Sequence, residues 1–183
     1  GAPQRWRLVN AAKSRYFMLD LGEGHAFRKI GGDGGLVEYA EDHEFLVLGA
    51  GERADVIVRP TGEPGGELLL RSLLHDRGYG STEFRDFEDL IAVELADMPP
   101  YSGGPLPETS REIQPYDTEG ATEVSLRLTV AQDPSDKTFE YGINDVPFWK
   151  AQPVLAELGE TQIWTVENTT AWSHPLHLHG FFF

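Results

Sequence analysis

The stretch HPLHLHG, residues 174–180, holds three of the six histidines of the chain. Neutral imidazole suits copper, zinc, iron and nickel, and spacing alone does not choose among them. On an extended strand His177 and His179 point to one face, where one or more metal ions can meet both. His174 stands outside that alternation, because Pro175 biases it toward an extended conformation and removes a ladder donor. Its ring can therefore serve a different site. A single imidazole on a β surface is ordinarily a structural residue satisfied by hydrogen bonds. Three within six residues, on a stretch that runs into Phe181, Phe182 and Phe183, point to metal instead.

The elements that must position these rings read as β structure. Apolar and aromatic runs at 5–10, 15–21, 44–49, 54–60, 67–73 and 90–96 predict strands, separated by turn signals at 22–24, 31–35, 49–52 and 61–66. Further strands are expected at 122–131, 138–144, 161–168 and 176–183, and no segment has a helical period. Short strands spaced by turns predict an all-β fold of antiparallel sandwich or barrel type.

Residues 97–120 carry five of the 12 prolines and no strand-like alternation, so they read as an interdomain linker. Residues 1–96 then form a first domain and 121–183 a second. The latter falls short of the roughly 100 residues a β-sandwich needs, and its last strand would end as an open apolar edge that invites contact with another chain or segment. The expectation is an incomplete second domain.

An internal repeat accompanies this division. WRLVN (6–10) and WTVEN (164–168) place Trp and Asn at the same offsets, each before a short turn and an apolar stretch. Where the second copy carries imidazoles, the first carries Arg15, Phe17 and Met18. One copy reads as built for metal and the other for packing.

Composition excludes several partners. The 30 acidic against 15 basic residues give a net charge of −15, a field that repels nucleic acid and anionic membrane surfaces. No run approaches the ~18 apolar residues of a membrane-spanning helix. The first ten residues lack the apolar centre of a signal peptide. With 40% hydrophobic residues the chain can bury a core, and with no cysteine it offers neither disulfide nor thiolate ligand.

The other motifs read blandly. His25, His43 and His75 are isolated and are expected at the surface. GGDGG (31–35) has the wrong glycine spacing for a dinucleotide loop and reads as a tight β turn. Asn168-Thr169-Thr170 fits the glycosylation sequon, which matters only in a glycosylating host. The acidic run 83–89 reads as a solvated face or loop.

With these residues in view, HPLHLHG with Phe183 three positions beyond resembles the first copper-binding motif of the last cupredoxin domain in three-domain multicopper oxidases, the family of laccases, bilirubin oxidases and cuprous oxidases. Residues 5–21, IGGDGGLVE (30–38) and LGAGERADVIVRP (48–60) resemble the copper-free middle domain of the same family. The resemblance implies cupredoxin-like Greek-key β-sandwiches and copper as cofactor. It implies that His174 binds the type 1 copper, His177 the type 2 copper and His179 one of the type 3 pair. It also implies one-electron oxidation of a small reducing substrate, transfer to a trinuclear cluster, reduction of dioxygen to water there, and an exported protein. A type 1 site needs a thiolate beside two imidazoles. Lacking cysteine, the 183-residue chain alone is expected to be inactive, the enzyme being an intact parent.

Two other classes fit parts of the pattern. One is a non-catalytic cupredoxin-like copper-binding or scaffold protein, favoured by the missing cysteine. The other is a copper nitrite reductase, against which three histidines in one stretch argue. Zinc binding by the His-x-His pair alone is a further option.

Overall fold

The computed structural model describes residues 1–78, 87–109, 111–132, 135 and 138–179. The chain divides into two compact units, Gly1–Ile113 with Pro175–Phe183, and Gln114–His174.

The first unit contains two four-stranded antiparallel sheets. One is ordered β1-β6-β3-β4, from β1 (Gln4–Val9), β3 (Phe27–Gly32), β4 (Gly35–His43) and β6 (Arg53–Val58). The other is ordered β5-β2-β7-β8, from β2 (Phe17–Asp20), β5 (Phe45–Leu48), β7 (Glu67–Leu73) and β8 (Glu88–Glu94). The chain crosses repeatedly between the sheets instead of meandering through one. Strict alternation sets the core. Ala54, Val56 and Val58 of β6 and Leu68 and Leu70 of β7 are buried at every second position. They join Leu19, Leu21, Phe27, Leu46 and Leu48 in one apolar cluster with contributions from both sheets.

Strands β3 and β4 escape the sequence reading for separate reasons. β3 carries two glycines and a register shift between Lys29 and Gly31, where a side chain on Gly31 would meet the Gly35 carbonyl oxygen at 2.8 Å. β4 is a polar edge strand, and its Asp42 takes a hydrogen bond from Arg28 at 3.1 Å. The GGDGG turn joins them: Gly35 has φ +94°, and Asp33 Oδ1 accepts the Arg53 N–H at 2.7 Å. β8 begins two residues before its expected start, because Arg71 and Arg15 hold Asp89 and Glu88 at 3.3 and 2.7 Å and draw the acidic entry into the sheet.

Asn10, 2% exposed, ties the end of β1 to its surroundings. Its Nδ2 donates to the Arg15 and Leu48 carbonyls at 2.8 and 2.9 Å, and its Oδ1 accepts the Ala12 N–H at 2.9 Å. Replacing it with alanine leaves three backbone groups without partners, at an expected cost of about 2 to 4 kcal/mol. Urea denaturation of a variant that keeps Trp6 as its one tryptophan checks this, and a loss below about 0.5 kcal/mol would contradict the assigned role.

Arg5 Nε donates to Asp55 Oδ1 at 2.8 Å across the β1-β6 pair. This bond, aided by the charges of Arg5 and Arg7 and opposed by partial burial, holds the Asp55 carboxyl below its usual pKa. A depressed carboxyl contributes stability above its unfolded-state pKa and loses it as pH falls through the folded value. Arg5→Met is thus expected to be less stable than the parent chain at neutral pH, with the difference vanishing below the ordinary carboxylate range. Thermal midpoints measured across acid pH check the sign.

The second unit contains one four-stranded sheet, β11-β10-β9-β12, built from β9 (Thr122–Gln132), β10 (Phe139–Ile143), β11 (Val146–Pro147) and β12 (Gln162–Asn168). β12 runs parallel to β9 over seven register pairs, and the remaining pairs are antiparallel. Asn144 and Asp145, at φ 53° and 62°, form the tight turn between β10 and β11. Glu160 pins the entry of β12: the Thr122 hydroxyl, the Glu157 N–H and the Gln162 amide all bond its carboxylate and lower its pKa. The one helical element among the described residues is a short 3-10 turn, Phe148–Lys150.

One expectation is corrected. Residues 176–179 join no sheet, so the strand expected at 176–183 is absent where it is described, and Gly180 to Phe183 lie outside the described residues. Pro175 removes a ladder donor at its start. Residues 97–109 and 111–120 contain no strand, although Thr109 forms one bridge to Tyr39. Most of the acidic run 83–89 also lies outside the described residues.

Candidate metal centre

The route to His174 begins on β12. Trp164 Nε1 donates to Gln162 Oε1 at 2.8 Å, as Trp6 Nε1 donates to Gln4 Oε1 at 3.0 Å in the first unit. At the strand end, Asn168 repeats the bonding of Asn10. Its Oδ1 accepts the Thr170 N–H at 3.0 Å, and its Nδ2 donates to the Trp172 carbonyl at 2.7 Å. These bonds close an Asx turn followed by a wider loop. Thr169 moors the turn to β9, its N–H and hydroxyl both donating to the Leu128 carbonyl at 3.2 and 2.7 Å.

Aromatic contacts hold the loop from the other side. Trp172 meets Phe139 edge-on, with centroids 5.1 Å apart, and lies 5.6 Å from Tyr141. Tyr141 in turn presents its ring to His174 at 6.5 Å and 80°. His174 is half-buried, and its Nε2 is 2.9 Å from Thr170 Oγ1.

The unit boundary falls between His174 and Pro175, so the remaining two histidines belong to the other unit. There the His177 and His179 rings stand edge to face with centroids 4.7 Å apart, and both residues are exposed. The pair thus meets through a bend of the chain and not through strand alternation. Two imidazoles at this separation suit copper chemically as a partial donor set. Among the described residues no group of three or more His, Cys, Asp or Glu side chains gathers closely enough to hold a metal ion by itself.

The other histidines have structural contacts. His25 Nδ1 lies 3.2 Å from the Glu23 carbonyl, and its Nε2 accepts the Thr61 N–H at 3.2 Å. His43 Nε2 is 3.4 Å from Glu41 Oε2, and His75 stacks on Tyr16 at 5.7 Å. Each is partly buried, less open than the surface placement expected for it.

Sequence reasoning placed Asn168 in the WTVEN repeat and in a sequon, and Thr170 only in that sequon, and gave neither a role at the site. The available signal was the longer repeat, QRWRLVN against QIWTVEN, in which Gln, Trp and Asn all recur and all make corresponding bonds.

Residues 118–183, which include the histidine stretch, match the family model for multicopper oxidases. The chain is 28% identical over 187 residues to the laccase of Bacillus subtilis (strain 168), spanning 96% of this chain and 34% of that protein. It is 29% identical to the multicopper oxidase MmcO of Mycobacterium tuberculosis, again over 96% of this chain and 34% of that protein. The chain therefore spans about a third of the length of these relatives. In structure it resembles the McoA multicopper oxidase of Aquifex aeolicus, with a TM-score of 0.75 over 98% of this chain and 40% of that one. At 20% identity this likeness speaks to the fold alone, which is all-β and cupredoxin-like. Residues 118–183, histidine stretch included, thus match the multicopper oxidase family model, and along nearly all of its length the chain is similar to a laccase and to a multicopper oxidase.

Proposed function

We propose that the chain is part of an oxidase that couples one-electron oxidation of a small reducing substrate to the reduction of dioxygen to water. Copper, when bound, supplies both the electron transfer and the oxygen chemistry. In this reading His174 is a ligand of the type 1 copper, His177 of the type 2 copper and His179 of one type 3 copper. Residues 1–96 form the copper-free middle domain, 97–120 the linker, and 121–183 the first part of the last, copper-binding domain. The protein would be exported. Among the described residues no helix is long and apolar enough to cross a membrane.

The observation that carries this reading is the family match across residues 118–183, which takes in all three histidines. The residues around them have compatible roles. Thr170 and the edge of Tyr141 contact His174, while Trp172 and Phe139 pack edge-on beside its loop. The paired rings of His177 and His179 offer neighbouring nitrogen donors. The chain has no cysteine, so the thiolate of the type 1 site must come from outside these 183 residues.

A form of the protein that carries the remaining ligands provides the test. There, His177→Ala is expected to deplete type 2 copper and lower turnover while sparing the blue type 1 absorption. Unchanged copper content and turnover would reject the assignment. The absent cysteine also supports a second reading, a non-catalytic copper-binding scaffold. Oxygen consumption by the ligand-complete protein separates the two.

A further inference from the structure

Thr170 Oγ1 has four polar neighbours and a single proton to share among them. Asn168 Oδ1 lies at 2.7 Å, the Trp172 carbonyl oxygen at 3.1 Å, the Trp172 N–H at 3.2 Å and His174 Nε2 at 2.9 Å. The Asn168 amide is oriented by its other bonds: its oxygen takes the Thr170 N–H, and its nitrogen gives to the Trp172 carbonyl. Two of the hydroxyl's neighbours are therefore pure acceptors. An oxygen–oxygen approach of 2.7 Å needs a proton between the atoms. The hydroxyl proton goes to Asn168, and the lone pairs of Oγ1 remain for the Trp172 N–H and for His174.

It follows that His174 must donate. In a neutral imidazole only one nitrogen carries a proton, so a donating Nε2 places the ring's lone pair on Nδ1. We propose that Thr170 is a positioning residue, a relay from Asn168 that locks His174 as the Nε2–H tautomer and so selects Nδ1 as its metal-binding nitrogen. The tautomer lock rests on hydrogen bonds within one unit, whereas its use for metal rests on the copper reading above. Partners on the distal nitrogen of a metal-binding histidine commonly fix its tautomer and ring orientation in this way. Here the partner is held by the turn that repeats in the first unit, where the counterpart of Thr170 is Ala12 and the repeat carries no imidazole.

Nitrogen-15 imidazole spectra of the metal-free 183-residue chain test the lock. The expected result is a pyridine-type Nδ1 and a protonated Nε2 for His174, with the Nε2 proton protected from solvent exchange. Thr170→Val should speed that exchange about tenfold, the size of one lost hydrogen bond. Thr170→Ser should preserve the protection, which separates the hydroxyl's role from packing by the methyl group. An Nδ1–H tautomer in the parent chain would overturn the proposal. So would unchanged exchange in a folded Thr170→Val variant, or lost protection in a folded Thr170→Ser variant.

The copper premise is tested separately in a form of the protein that carries the remaining ligands, where the blue type 1 absorption reads His174. Blue absorption that survives His174→Ala, with the Nε2–H of the metal-free chain still protected, rejects the copper assignment and leaves the lock standing. Blue absorption lost in His174→Ala, with an unprotected Nε2 in the metal-free chain, rejects the lock and leaves the copper assignment standing.

Discussion

Replacing both His177 and His179 with alanine is expected to weaken copper binding by the 183-residue chain more than about 100-fold. That is the upper end of the effect of altering groups that merely support a ligand, and these residues are argued to be ligands themselves. Their rings approach to 4.7 Å, so one ion can take nitrogen from both. Both residues are exposed and belong to no sheet, so their loss should change folding stability by no more than about 0.5 kcal/mol. Competition with a chelator of known affinity measures the first quantity, and denaturant unfolding measures the second. A double variant that binds copper like the parent chain would remove the pair from the site.

Phe27→Ala is expected to destabilise the first unit by about 3 to 5 kcal/mol. Phe27 opens β3 with 0% exposure and packs in the cluster that both sheets share. Truncation removes the largest side chain among the fully buried residues. The walls around it are β-strands fixed by register on each side, which limits collapse into the void. Phe27→Leu keeps most of the volume and should cost less than about 1.5 kcal/mol. Urea midpoints of the two variants check the contrast. A loss below about 1 kcal/mol for Phe27→Ala would mean that the core closes over the gap.

Where strands alternate cleanly, as in ADVIV and ELLLRS, the sequence shows the element and its buried face together, since a period of two needs no tertiary information. β4 was illegible because Glu38, Glu41 and Asp42 break up its apolar residues and leave no clean alternation, and its pairing depends on partners such as Arg28. The stretch after Pro175 misled in the opposite direction. Its alternating Leu and His fit a strand, yet a ladder needs a partner, and among the described residues none pairs with 176–179.

The candidate site divides the same way. Residue type alone suffices to single out His174, His177 and His179 as candidate metal ligands, because few structural needs gather three imidazoles so tightly. Ring separation is not a property of the sequence. Neither is the relay from Asn168 through Thr170 to His174, which depends on a turn whose hydrogen bonds appear only once the chain is folded. The recurrence of Gln, Trp and Asn in the two units was the visible trace of that turn.

The most direct test of the copper reading is the ligand set of Cu(II) added to the metal-free chain, read by pulsed electron paramagnetic resonance. The chain carries 30 acidic residues, so adventitious copper would sit on carboxylate oxygens. The expected spectrum shows coupling to the remote nitrogens of imidazole, and that coupling should disappear when His177 and His179 are both replaced. Copper held by oxygen alone, or imidazole coupling that persists when His174, His177 and His179 are all replaced, would contradict the assignment of this histidine stretch as a copper site.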